Sequence, residues 1–113
     1  MKEILFYRLP AGRSPVEEYL DELSAKEIKK IVWVLQLVEE LDRIPINYYK
    51  PLKNCNGIVE VRVSVNKNNF RFLGFEHQDR FVVLTNGFKK KDQKTPKTEI
   101  DLALKRRKDY LSR

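Results

Sequence analysis

The chain of 113 residues holds one cysteine, one histidine, one tryptophan and four glycines. Cys55 has no second cysteine to pair with, so an internal disulfide is excluded and a reduced, cytoplasmic setting is expected. One histidine and one cysteine cannot assemble a zinc site, so neither a metal nor a cofactor is expected. No Walker loop or Rossmann glycine pattern occurs. The longest apolar run, Ile31-Val-Trp-Val-Leu35, is far too short to span a bilayer. The start, Met1-Lys-Glu-Ile, has neither the n-region nor the cleavage site of a signal peptide. Internal repeats and low-complexity stretches are absent as well.

What the chain does have is positive charge, unevenly placed. Twenty-three basic and 16 acidic residues give a net charge of +7. Residues 1–27 carry four bases and six acids (−2), residues 28–87 nine and six (+3), and residues 88–113 ten and four (+6). Lys89, Lys90, Lys91 and Lys94 crowd one segment, Asn86-Gly-Phe-Lys-Lys-Lys-Asp-Gln-Lys-Thr-Pro96, read as a loop between an apolar strand and a helix start at Thr95-Pro96. Like charges this close repel, and a polyanion relieves the repulsion. RNA leads among the candidates; a ribosomal or an anionic membrane surface carries the same attraction.

The length suits one domain, residues 1–113, burying roughly two-thirds of its unfolded surface. Residues 2–8 read as a strand. Ser14-Pro15-Val16-Glu17 is a capping box opening a short helix to Leu23, and Ser24-Ala25-Lys26-Glu27 opens a longer one to Leu41. Ile28, Ile31, Val32, Leu35 and Val38 form the core stripe of the second helix. Val59, Val61, Val63 and Val65 alternate with Glu60, Arg62 and Ser64 over a strand from Ile58 to Val65. Asn66 to Asn69 make a hairpin turn, Phe70 to Phe75 the next strand, Gln78-Asp79 a turn and Arg80 to Asn86 the last strand. Ile100, Ala103, Leu104 and Leu111 give a terminal helix its apolar stripe. The expected fold is α+β: a small antiparallel-dominated sheet in the order β-α-α-β-β-β-α, with a helical hairpin on one face.

A two- or four-residue turn within Asn66–Asn69 pairs Val65 with Phe70 and Arg62 with Leu73. Arg62 and Arg71 then share a face as diagonal neighbours ~7–8 Å apart, with Glu60 two residues along. This is a basic site built on three strands.

The order Gly57-Ile-Val-Glu-Val-Arg62, Asn69-Phe-Arg71-Phe, then Asn86-Gly-Phe-Lys-Lys and Lys94-Thr-Pro resembles the HigB-type, phage-derived branch of the RelE/ParE toxin superfamily of type II toxin–antitoxin modules. The similarity covers residues 2–111. It implies a RelE-like fold and a metal-independent endoribonuclease that cuts mRNA, in the ribosomal A site, until a cognate helix-turn-helix antitoxin silences it. It places Arg62, Arg71 and Lys90 (or Lys89) at basic active-site positions.

Metal-free RNA cleavage needs a base for the 2′-hydroxyl, cations for charge developing on the phosphate and an acid for the leaving oxygen. Arg62, Arg71 and Lys90 can supply the cations. The base is open between Glu60, which is equally suited to a salt bridge, and a lysine of depressed pKa. Lys53, Lys89, Lys91 and Lys94 are candidate RNA contacts. Trp33 and Leu37 are left over from the core stripe, as a partner-binding patch for the antitoxin or as a surface wrapped by residues 44–52. The competing assignments are a solvated lysine loop, an ion-pair network of Glu60, Arg62 and Arg71, and a non-catalytic RNA- or DNA-binding module or phage-derived interaction protein. His77 reads as a turn residue and Cys55 as a loop thiol.

Overall fold

The alternating valines of residues 58–65 become an inner strand of a five-stranded mixed sheet. The computed structural model describes residues 1–113 and runs β1 (Glu3–Phe6), α1 (Pro15–Leu20), α2 (Ala25–Glu40), β2 (Tyr49–Pro51), β3 (Ile58–Val65), β4 (Asn68–His77), β5 (Phe81–Lys90) and α3 (Lys97–Leu111). The strand order is β1-β5-β4-β3-β2, with β1 parallel to β5 and every other pair antiparallel. The architecture is α+β, with β2 a strand beyond the expected order.

Both early helices start where their serines dictate. The Ser14 hydroxyl accepts the Glu17 N–H, with Pro15 in the first turn. Ser24 and Glu27 form a reciprocal capping box at 3.2 and 2.9 Å. One face of the sheet then buries Val59, Val61, Val63, Val65, Phe70, Phe72, Val82 and Leu84 against Val16, Ile31, Val34 and Val38. The stripe of α2 therefore runs through Val34 rather than Val32, which is exposed. Spacings of three and four from Ile31 keep Val34 and Val38 over the sheet, and Val32 lies about 100° round the helix.

The opposite face carries α3. Ala103 is buried on Ile58 and Leu73, with Ile100 and Leu104 half-buried beside them, while Tyr110 packs edge-on against Phe75. Leu111, expected on this stripe, is exposed, and Tyr110 takes the inward position at that turn. Polar ties fix the helix: Asn86 Nδ2 donates to Glu99, Arg106 to the Thr85 carbonyl, and the Tyr7 hydroxyl to Asp109 at 2.7 Å.

The β3–β4 turn is the shorter of the two expected lengths, two residues rather than four, but it lies earlier in the segment. Only Asn66 and Lys67 lie between the strands, with Asn66 left-handed at φ 56°. Asparagine tolerates that conformation and so permits a two-residue turn. Val65 therefore pairs with Asn68, and Arg62 with Arg71. The expected register is off by two residues, an even number, so each side chain keeps its face.

Strand β5 is longer than expected. It continues through Lys89 and Lys90, which pair with Phe70 and Asn69, so both lysines sit on a strand and the connecting segment is residues 91–96. A bulge opposite Leu73 and Gly74 accommodates the extra residue Thr85. Beyond it, Gly87 faces Phe72 and Tyr19 so closely that a methyl group there would stand 2.6 Å from the Phe72 ring.

Candidate functional site

Glu60 is the centre of the polar cluster, and it is 1% exposed. Its strand partners surround it with cations. Lys50 faces it across β2–β3. Arg62 and Arg71, direct cross-strand partners rather than diagonal neighbours, each place Nε 3.6 Å from Glu60 Oε1. The second carboxylate oxygen, Oε2, accepts a 2.6 Å hydrogen bond from the Thr95 hydroxyl. Neither arginine Nε has a hydrogen-bond partner. These buried donors are held by charge attraction to a shared carboxylate, which leaves them short of full satisfaction.

A groove of about 260 Å³ opens beside Glu60, lined by Lys50, Lys53, Lys90, Lys94, Gln93 and Thr95 over an apolar floor that includes Leu52 and Ile100. Lys50, Lys53, Lys90 and Lys94 with the two arginines set six cations around one carboxylate. A larger groove of about 650 Å³ runs along β1 and α2, with Ile4, Phe6, Val32 and Leu35 among its walls. Charge, rather than size, distinguishes the smaller one: a phosphodiester needs convergent cations, and the larger groove sets Arg8 and Arg113 against Glu17 and Glu39.

Within the cluster the cations alter one another. Burial holds the Lys90 ammonium below the usual lysine pKa, and the charges of Arg71, Arg62 and Lys50 add to that effect while Glu60 opposes it. Burial also lowers Arg71, again with Glu60 opposing and Arg62 adding. Arg71 is 6% exposed and donates Nη1 to the Phe70 carbonyl, so it presents little surface to a ligand. Arg62, half-buried, presents more.

The structure separates the lysines that the sequence grouped. Lys90 lies on the groove side of β5. Lys89 alternates to the opposite face, where its charge acts on Glu27 at the start of α2. It therefore stands away from Arg62 and Arg71. Lys53 and Lys94 line the groove; Lys91 is exposed and does not.

Trp33 is 45% exposed, edge-on to Tyr48 with the rings 5.7 Å apart, while Leu37 is half-buried. Residues of the 44–52 stretch thus cover part of this surface. His77 packs edge-on against Phe75 and Tyr110, away from the groove. The Cys55 thiol reaches the groove's edge and donates to the Lys53 carbonyl.

Two contributors escaped sequence reasoning. Lys50 sits on β2, a three-residue edge strand fastened by the Tyr49 hydroxyl, which donates to Glu76 at 2.6 Å. The signal was there: two tyrosines before Lys50 favour an edge strand, and Pro51 is tolerated only at such an edge. Thr95 read as a helix cap, but α3 starts on Pro96, which offers no side-chain cap, and the Thr95 hydroxyl turns to Glu60 instead.

Residues 18–108 match the family model described as Phage derived protein Gp49-like (DUF891). The chain belongs to that family. It is a phage-derived family of the RelE/ParE-like toxin kind found in type II toxin–antitoxin systems, and the chain is compatible with such a toxin and with an antitoxin as partner. The matched span contains every residue of the basic groove. A comparison with curated proteins gave no match. No helix is long and apolar enough to cross a membrane.

Proposed function

We propose that this chain is a HigB-type toxin, a metal-independent endoribonuclease that cleaves mRNA at the ribosome and is neutralised by a cognate antitoxin. The observation that carries the reading is the convergence of Lys50, Arg62, Arg71 and Lys90 on the buried Glu60, beside a groove of phosphate-binding size.

The groove lining contains neither histidine nor tyrosine, and proton transfer is assigned to its lysines. Glu60 is enclosed, bonded to Thr95 and flanked by two guanidinium groups, which suits an anchor better than a base. Lys90 is the base. A lowered pKa keeps more of its amine neutral near physiological pH than an ordinary lysine's. It takes the proton of a ribose 2′-hydroxyl, whose oxygen attacks the adjacent phosphorus. The P–O5′ bond breaks, and the Lys50 ammonium gives its proton to the departing oxygen. The products are a 2′,3′-cyclic phosphate and a 5′-hydroxyl. Arg62 and Arg71 oppose the negative charge that grows on the phosphate, while Lys53 and Lys94 hold flanking backbone.

The test is cleavage of RNA by the purified protein, as a short free RNA in EDTA and as mRNA positioned on ribosomes, with the termini of the products identified. A 2′,3′-cyclic phosphate formed by the parent and lost in K90A and R62A supports the reading. RNA that is bound but left intact both free and on ribosomes favours a non-catalytic binding module, and it overturns the enzyme.

A further inference from the structure

Glu60 divides its two oxygens between different tasks. Oε2 takes the Thr95 hydroxyl at 2.6 Å, and Oε1 faces the Nε atoms of Arg62 and Arg71, each at 3.6 Å. A carboxylate is symmetric and can rotate about its last bond. The Thr95 hydrogen bond is the only one that breaks this symmetry by holding a particular oxygen. The two Nε atoms have no hydrogen-bond acceptor and both face Oε1, while Arg71 is held in addition by its Nη1 bond to the Phe70 carbonyl. Thr95 also belongs to the 91–96 segment that carries Lys94 into the groove wall.

The threonine lies at the junction of the 91–96 segment and α3. It stands immediately before Pro96, the N-cap of α3, which has no side-chain cap bond. The hydroxyl points into the sheet, joining β3, the 91–96 segment and the start of α3.

We infer that Thr95 is a positioning residue for the cleavage proposed above: it orients Glu60, and through Glu60 the guanidinium pair whose charge acts beside the groove. The inference rests on the ribonuclease reading. Thr95 itself touches no reacting atom. Its effect is to pre-set donor directions, so its loss acts on the transition state more than on RNA binding.

The experiment compares the parent with T95V, which keeps the shape and removes the hydroxyl, and T95S, which restores it. Steady-state cleavage of a short RNA gives kcat and KM, and nitrogen-15 NMR follows the Nε–H resonances of Arg62 and Arg71 in the free protein. In T95V, kcat falls about 10- to 100-fold with a smaller change in KM, and both Nε–H resonances move. T95S returns kcat and both resonances toward the parent. If the parent cleaves RNA but T95V keeps its kcat and its Nε–H resonances, or T95S is as slow as T95V, the role of Thr95 is overturned and the ribonuclease reading stands. If the parent cleaves no RNA, free or on ribosomes, the ribonuclease reading fails and this inference with it.

Discussion

Arg62 and Arg71 stand directly opposite each other in the β3–β4 ladder, like charges held together by a single buried carboxylate oxygen. Two facing guanidinium groups on adjacent strands repel each other. Glu60 offsets that repulsion, and the net positive charge that remains beside the groove is what a phosphate would meet. Fold and site are thus coupled at one residue, because the charge that stabilises the sheet also fixes the cluster.

The first prediction follows from this coupling. In E60A, two largely buried cations lose their shared partner. Breaking a buried ion pair by removing one member costs about 3–5 kcal/mol, so urea unfolding of E60A should show a loss of that order. A double variant, E60A with R71A, removes one of the stranded charges and should recover part of the loss. Equal stability for E60A and the parent would show that the carboxylate holds nothing together.

Lys90 gives a prediction in pH. Its pKa lies below the ordinary lysine value because burial and three neighbouring cations disfavour the ammonium. As the base, only its neutral form works. Cleavage should therefore rise with pH below the Lys90 pKa, with the bend short of 10.5. A group acting only as a cation would give the opposite limb, a rate that falls as the ammonium is lost. K90R separates the two roles, since arginine keeps the charge but does not deprotonate. K90R should be as inactive as K90A, a drop of about 10²–10³ in rate.

The alternation of β5 makes Lys89 and Lys94 a matched pair for testing RNA contact. Lys94 lines the groove, and Lys89 lies on the other face near Glu27. K94E should weaken binding to a short RNA and reduce the salt slope by roughly one unit, whereas K89E should leave both close to the parent. Equal losses in the two variants would show that the RNA path is not confined to the groove.

The strands carried their own signatures, and the functional pairing followed from parity. Valine alternation fixed which face Arg62 would take, and Phe70-Arg71-Phe72 did the same for Arg71. The turn length did not matter to that result, because a shift of two residues preserves the face. What could not be read was anything set by tertiary contact. Lys89 and Lys90 are adjacent in sequence and chemically identical, and only the continuation of β5 separates them. Lys50 depends on a three-residue strand whose stability comes from its neighbour. Thr95 carried a local signal for a helix cap, and a carboxylate 35 residues away redirected its hydroxyl. Val32 and Val34 differ only in rotation about α2.

The last prediction concerns the antitoxin. The outer side of α2 exposes Val32 and Trp33; Tyr48 packs perpendicular to the indole and the Lys30 ammonium lies 4.7 Å from its ring centre. Exposed large aromatics on a rigid helix are effective anchors for a partner. The other surface with a claim on a partner is the 91–96 segment, where Lys91 is exposed and Lys94 lines the groove. The two surfaces differ in physics, so one titration series separates them. An antitoxin docked on Trp33 should lose affinity in W33A by a similar factor at low and high salt, because apolar burial is little screened. An antitoxin that lays an acidic segment over Lys91 and Lys94 should lose affinity in K91E, and by less as salt rises, because the Debye length shrinks to about 3 Å at 1 M. W33A removes an aromatic that is already half in water, so its own stability should change little. A loss of binding there reports the interface rather than the fold. If both variants bind the antitoxin as the parent does, neither α2 nor the 91–96 segment is its docking surface.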